Sequence, residues 1–255
     1  MQQYNYLRAI YSSFYSSALY RDVKENWGAG VVVYLLLILV ISWIISFVQI
    51  QRSIKLHYTQ FAAEIVPQMP LITIKKGEAS TPEPHPYIIR DLHTGENVMT
   101  IDTTGQYLNL DQAKSQILVT KHEVIMKDNA TVRIEKIPAN LTMNIVPSKA
   151  KEWILKLIDW VWLFLFPFFL IGSFVYRLIQ ALLYAVIGKL FAVIGGVTVS
   201  YSNMIKLAIV ALTPVIVLST LLDLLSVYFH LQWVIYFIIS MAYLIFAIRA
   251  NSMHK

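Results

Sequence analysis

No cysteine occurs among the 255 residues, so disulfides, thiolate metal sites and cysteine nucleophiles are excluded at once. Charge is scarce as well. Ionic side chains make up 14% of the chain against 57% apolar residues, where a soluble domain carries about 25% charged residues. With a mean hydropathy of +0.57, that deficit reads as an integral membrane protein whose main solvent and first partner is the lipid bilayer. The histidines show no metal spacing such as His-Glu-x-x-His. Neither a phosphate-cradling glycine loop nor a Gly-x-Ser-x-Gly elbow is present. No basic stripe with interleaved aromatics suggests a nucleic acid partner. The net charge of +6 sits largely beside apolar segments, where basic residues hold helix ends at headgroups. No catalytic residue, metal or cofactor is therefore expected.

What is present divides by polarity. Residues 1–26 lack the apolar core and cleavage site of a signal peptide. On a helical repeat, Leu7, Ile10, Tyr11, Phe14, Ala18 and Leu19 share one face. Such a helix either lies in the membrane interface or packs on the protein's own core. "VVVYLLLILVISWIISFV" (31–48) has no charge and is long enough to cross a hydrocarbon layer of about 30 Å. Residues 50–148 differ in kind. A helical continuation is followed by short alternating runs, "LITIKK", "PYIIRD", "NVMTID", "HEVIMK" and "TVRIEK", separated by turn residues. These predict half-buried strands, with a short helix over "NLDQAKSQIL" capped at Asn109 or Asp111.

From Trp153 to Ile248 the chain is apolar again, and polar marks at Arg177, "TVSYSNMIK" and "YFHLQ" divide it into four pieces. The predicted fold class is a membrane α-helical bundle of about five transmembrane helices, with a small mainly β (α+β) domain inserted between spans 1 and 2. Its parts are an interfacial helix over 1–26, span 1 over 27–49, an extramembrane β-rich domain with a helical stalk over 50–148, four spans over 149–248 and a polar tail over 249–255. A four-span arrangement would require one piece to be re-entrant.

The blocks "SSFYSSALYRDVKENWGAGVVVYLLL", "MPLITIKKGEAS", "HPYIIRDLHTGENVMTIDTTG", "LVTKHEVIMK" and "LAIVALTPVIVLSTLLDLL" resemble, in the same order, those of a bacterial membrane-protein family of unknown function. Some of its members carry a maltodextrin-utilization label. The chain is also distantly similar to five-span Yip-type membrane proteins. The resemblance implies a topology and a bacterial cytoplasmic (inner) membrane location, and it carries over no catalytic residues.

Orientation follows from lysine and arginine. With five spans, Arg8, Arg21, Lys24 and Arg177 share the side of the N-terminus. Arg52, Lys55, Lys149, Lys151, Lys156, Lys206, Arg249 and Lys255 take the other. Five of those eight flank the long domain, where the rule fails. The first span alone, with Arg8, Arg21 and Lys24 before it, places the N-terminus in the cytoplasm and the β-rich domain outside.

Several residues invite a functional reading. Asp102 in "DTTG" imitates a protease or phosphorylation aspartate, but no second copy and no nucleotide-binding domain accompany it, so a strand-closing turn is expected. Lys189 sits near the middle of a predicted span, where a lysine costs about 2.5–3.5 kcal/mol. It either snorkels or forms an intramembrane polar site with Asp159 or Asp223. Asp159 also has Lys156 one turn back. Ala181, Ala185, Gly188, Ala192 and Gly196 form a small-residue stripe for close helix packing. Pro167 and Pro214 are expected to kink their spans, with Thr213, Ser219 and Thr220 available to bond freed carbonyls.

These features predict a non-enzymatic membrane protein that acts as adaptor or accessory subunit to another membrane protein or envelope complex, with a carbohydrate-uptake link resting on the family label. Homo-oligomers remain compatible. The alternative is a small transporter or lipid-handling protein using Lys189 and the helix broken at Pro214.

Overall fold

The computed structural model describes residues 2–128 and 131–252. The chain splits into two compact units, Met1–Gln51 with Trp162–Lys255, and Arg52–Val161. The α-helices, in chain order, are α1 (Tyr6–Ser12), α2 (Ser17–Asn26), α3 (Gly30–Ile65), α4 (Leu110–Ala113), α5 (Pro147–Ile194), α6 (Tyr201–Ala211), α7 (Thr213–Leu224) and α8 (Gln232–Ala250).

In the first unit, the single helix expected over 1–26 is two. The serines between them bond locally instead of continuing the helix. Ser13 Oγ donates to the Ile10 carbonyl at 2.7 Å, and Ser16 Oγ caps α2 by accepting from Leu19 N at 3.2 Å. The break also splits the supposed common face, because Leu19, Tyr20 and Val23 are buried while Leu7, Tyr11 and Phe14 are exposed. Asp22 fastens the segment. Its buried carboxylate accepts from the backbone of Gln3 (3.1 Å) and Tyr4 (3.2 Å), from Asn26 Nδ2 (2.7 Å) and from Trp27 Nε1 (2.9 Å).

Among the described residues, four helical segments are long and apolar enough to cross a membrane: Gly30–Gln68, Pro147–Ile194, Tyr201–Leu224 and Gln232–Ala250. Five such segments were expected, and four are found. The two pieces that Arg177 appears to separate are one continuous helix, α5. Arginine is a good helix former, and Phe174–Ala192 contains no proline and one glycine. The first effective stop is Gly195-Gly196, where Gly196 adopts φ +66°, the left-handed conformation that commonly closes a helix. Pro167 lies inside α5 without ending it. Pro214 behaves differently: the helix over 201–224 is interrupted at Leu212, and Pro214 occupies the first turn of α7, where its missing N–H costs nothing. Thr213 bonds sideways to Tyr34, and Ser219 and Thr220 both donate to Ile216 O.

The small-residue stripe packs this bundle itself. Ala181, Ala185, Gly188 and Ala192 are buried, and a Cβ on Gly188 would lie 2.8 Å from Met204 Sδ of α6 and 3.1 Å from Leu244 Cδ2 of α8. Gly196 does not belong to the stripe. It lies beyond the helix end, and a Cβ there would meet nothing within 4 Å.

The second unit has two sheets. β1 (Ile72–Lys75), β2 (Glu78–Ser80) and β8 (Met143–Ile145) form one, in the order β2-β1-β8. β3 (Tyr87–Arg90), β4 (Asn97–Ile101), β5 (Ser115–Val119), β6 (Glu123–Asp128) and β7 (Thr131–Lys136) form the other, in sequence order. The alternating runs correspond to β1, β3, β4, β6 and β7. The predicted helix over "NLDQAKSQIL" is confined to α4. Asn109 Oδ1 caps it by accepting from Gln112 N at 2.9 Å. Lys114, at φ +49°, then turns the chain into β5. β4 and β5 pair in parallel, unlike their antiparallel neighbours. A parallel pair needs a crossover of about a dozen residues, and residues 102–114 with α4 supply it.

Candidate functional site

Three apolar helices of the first unit each carry a polar stripe at helical spacing. α3 presents Ser42, Ser46 and Gln49; α5 presents Ser173, Tyr176 and Arg177; α7 presents Ser219, Thr220 and Asp223. Residues three or four apart share a helix face, so each stripe points one way. All three point into one cavity of about 380 Å³, which Trp43 and Tyr228 also line.

Direct bonds brace its walls. Trp43 Nε1 donates to Ser173 Oγ at 2.7 Å, and Ser173 Oγ donates to Leu170 O at 2.9 Å. Gln49 Nε2 donates to Leu224 O at 3.1 Å, tying α3 to the end of α7. A relay runs along α5 from Arg177 Nη1 to Gln180 Oε1 (2.7 Å), and from Gln180 Nε2 to the Tyr184 hydroxyl (2.8 Å). The Arg177 guanidinium also lies 5.5 Å from the Tyr176 ring centroid, close enough for a cation–π contribution. Arg177 and Asp223 line the same cavity without an ion pair within 4.0 Å.

Of the three polar residues singled out in the sequence, one belongs here. Asp223 lines the cavity. Lys189 lies in the last turns of α5 and donates from Nζ to Val199 O at 2.7 Å, so its stem turns toward the helix end as snorkelling requires. Asp159 belongs to the other unit. It pairs with Lys55 of α3. Arg177, read from the sequence as an interhelical mark, is the residue that was missed. Its signal was the uncharged run on both sides, Trp160–Tyr176 and Leu178–Gly188, which makes it an interior charge.

Asp102 has a structural role. It follows β4 with no exposed surface. Its Oδ1 accepts from Thr104 N (2.8 Å), Thr104 Oγ1 (2.6 Å) and Gly105 N (3.2 Å), and its Oδ2 accepts from Tyr107 N (2.6 Å). Burial pushes its pKa up, but the Thr104 hydroxyl and the three backbone N–H groups outweigh that and hold the carboxyl below the usual range. Among the described residues, no group of three His, Asp or Glu side chains is placed to hold a metal.

Residues 7–248 match the family described as "Protein of unknown function (DUF1189)". The chain belongs to that family. The match extends over both units, so the cavity-lining helices and the strands all fall within it. No curated protein and no solved structure matches the chain.

Proposed function

We propose that this DUF1189 member is a cytoplasmic-membrane protein that binds a small polar or amphiphilic molecule within its helical bundle. The convergence of three polar stripes on one cavity containing Arg177 and Asp223 carries this reading. Polar and ionised side chains on membrane helices are costly and face protein interior or water-lined space. A cluster drawn from three separate helices is more than incidental polarity requires. Lys189, bonded to Val199 O, is replaced by Arg177 as the charge on which a carrier reading rests. Mass spectrometry of extracts from protein purified in nanodiscs tests this: wild type should retain a small molecule near stoichiometric amounts and Arg177→Gln should lose it. Equal extracts would count against the binding role.

The same reading places the N-terminus in the cytoplasm. Lys206 Nζ donates to Lys24 O at 3.3 Å and Asn251 Nδ2 to Tyr20 O at 3.4 Å. The N-terminal helices, the start of α6 and the end of α8 therefore meet at one end of the bundle. With four crossings, Arg8, Arg21, Lys24, Lys189, Lys206 and Arg249 share that end, where lysine and arginine mark the cytoplasm. Lys255 lies outside the described residues.

An adaptor role is the second reading, and β7 favours it. This edge strand is exposed on both faces, with Val132 at 60% and Ile134 at 55%, and an open edge can accept a strand from a partner. Deleting residues 70–145 should then abolish co-purification of that partner, and unchanged association would exclude the role. A link to carbohydrate uptake rests on the family resemblance alone.

A further inference from the structure

Arg177 and Asp223 have opposite charges, border one cavity and do not pair. Between membrane helices such charges attract more strongly than in water, and ionised side chains there usually pair with one another or with backbone carbonyls. Closing the gap would pair them, yet the walls are braced by Trp43–Ser173 on one side and Gln49–Leu224 on the other. The braces leave about 380 Å³ between the helices.

We infer that the cavity takes a zwitterionic group, an oxyacid anion on Arg177 and an ammonium on Asp223. The inference rests on the binding role proposed above and names the ligand class. A purely anionic ligand would neutralise Arg177 and leave Asp223 unpaired, and a purely cationic ligand would do the reverse. One molecule bearing both signs satisfies both without adding net charge to the bundle.

The local chemistry fits each end. Gln180 takes a single N–H of Arg177, leaving further donors of the planar fork for two oxygens of a phosphate or carboxylate. Near Asp223, the Ser219 and Thr220 hydroxyls spend their protons on Ile216 O. Their lone pairs are thereby available to accept from an ammonium. Two sources present this chemistry: the phosphoethanolamine headgroup of a membrane lipid, and a free soluble zwitterion.

The test is native mass spectrometry of the full-length protein, released from micelles containing equimolar dioleoyl-phosphatidylethanolamine and dioleoyl-phosphatidylglycerol. The expected result is at least tenfold preference for the zwitterionic lipid. Arg177→Gln and Asp223→Asn should each reduce its retention at least tenfold, with unchanged gel-filtration elution and helical circular dichroism. Asp223→Glu, which keeps the charge, should retain more than half, whereas Arg177→Lys, which keeps the charge but loses the planar fork, should fall between wild type and Arg177→Gln. Excess free glycerophosphoethanolamine, a phosphodiester with the same single negative and single positive charge as the headgroup, distinguishes the sources. Displacement of the lipid assigns the site to soluble zwitterions, persistence assigns it to the lipid headgroup, and both uphold the class.

Equal retention of the two lipids with no effect of Asp223→Asn overturns the zwitterion while leaving a binding role. Failure to retain either lipid or free glycerophosphoethanolamine, together with no small molecule in extracts of the native protein, overturns both.

Discussion

Four hydrogen bonds converge on the Asp102 carboxylate, and they hold the crossover that lets β4 and β5 pair in parallel. Asp102→Ala leaves three backbone N–H groups without their acceptor, at a cost of about 2–4 kcal/mol. Thermal unfolding of the purified protein should show it, with faster hydrogen exchange concentrated at residues 102–119. The pH dependence has a definite sign. Because the folded carboxyl is held below its ordinary value, its contribution is complete above the unfolded pKa of about 3.9. It is lost as pH falls through the lower folded value. Exchange at Thr104, Gly105 and Tyr107 should accelerate in that acid window in wild type and show no such step in Asp102→Ala. Gly188 provides a second residue-scale test. An added methyl crowds both the Met204 thioether, which is flexible enough to shift, and Leu244 Cδ2, so Gly188→Ala should cost about 1 kcal/mol. Gly188→Leu must displace both neighbours further and should cost about 3 kcal/mol, read as a lower unfolding temperature in detergent.

Among elements, β7 and β5 make opposite predictions. Val132 and Ile134 are already exposed, so threonine at either should change stability by less than about 0.5 kcal/mol. Leu118 of β5 is fully buried, and Leu118→Ala should cost about 2–5 kcal/mol. Unfolding monitored by exchange within residues 70–145 separates the two. Legibility varied between these elements for physical reasons. β1, β3, β4, β6 and β7 show alternation because each is long enough to register a two-residue period. β2 and β8 have three residues each, too few to establish one. β5 was hidden because "NLDQAKSQIL" begins with a true capped turn, and only the left-handed Lys114 shows where the helix stops. α5 misled in the other direction: polarity at Arg177 imitates a loop, whereas chain termination depends on backbone conformation and occurs at Gly195-Gly196.

For the whole molecule, the proposed topology turns on α5: read as one crossing instead of two, it puts every later segment on the opposite side from the five-span expectation. The absence of cysteine makes this measurable with single replacements at exposed sites. Tyr15→Cys and Ser252→Cys should both be protected from an impermeant maleimide in right-side-out vesicles, and Leu92→Cys should be labelled. Labelling of Ser252→Cys with protection of Tyr15→Cys would restore an odd number of crossings and remove the charge argument for orientation.

The amino-acid sequence alone determined that long apolar segments flank one polar, strand-rich insert, because hydropathy and alternation are sums over near neighbours in the chain. It also marked Asp102 as a turn residue, since its partners lie within five positions. Only the tertiary structure decided that Ser46, Arg177 and Asp223 border one cavity, that Lys206 reaches Lys24 and that Lys189 spends its charge on Val199. Those relations join residues on different elements, and packing, unlike polarity, is not a local property of the chain.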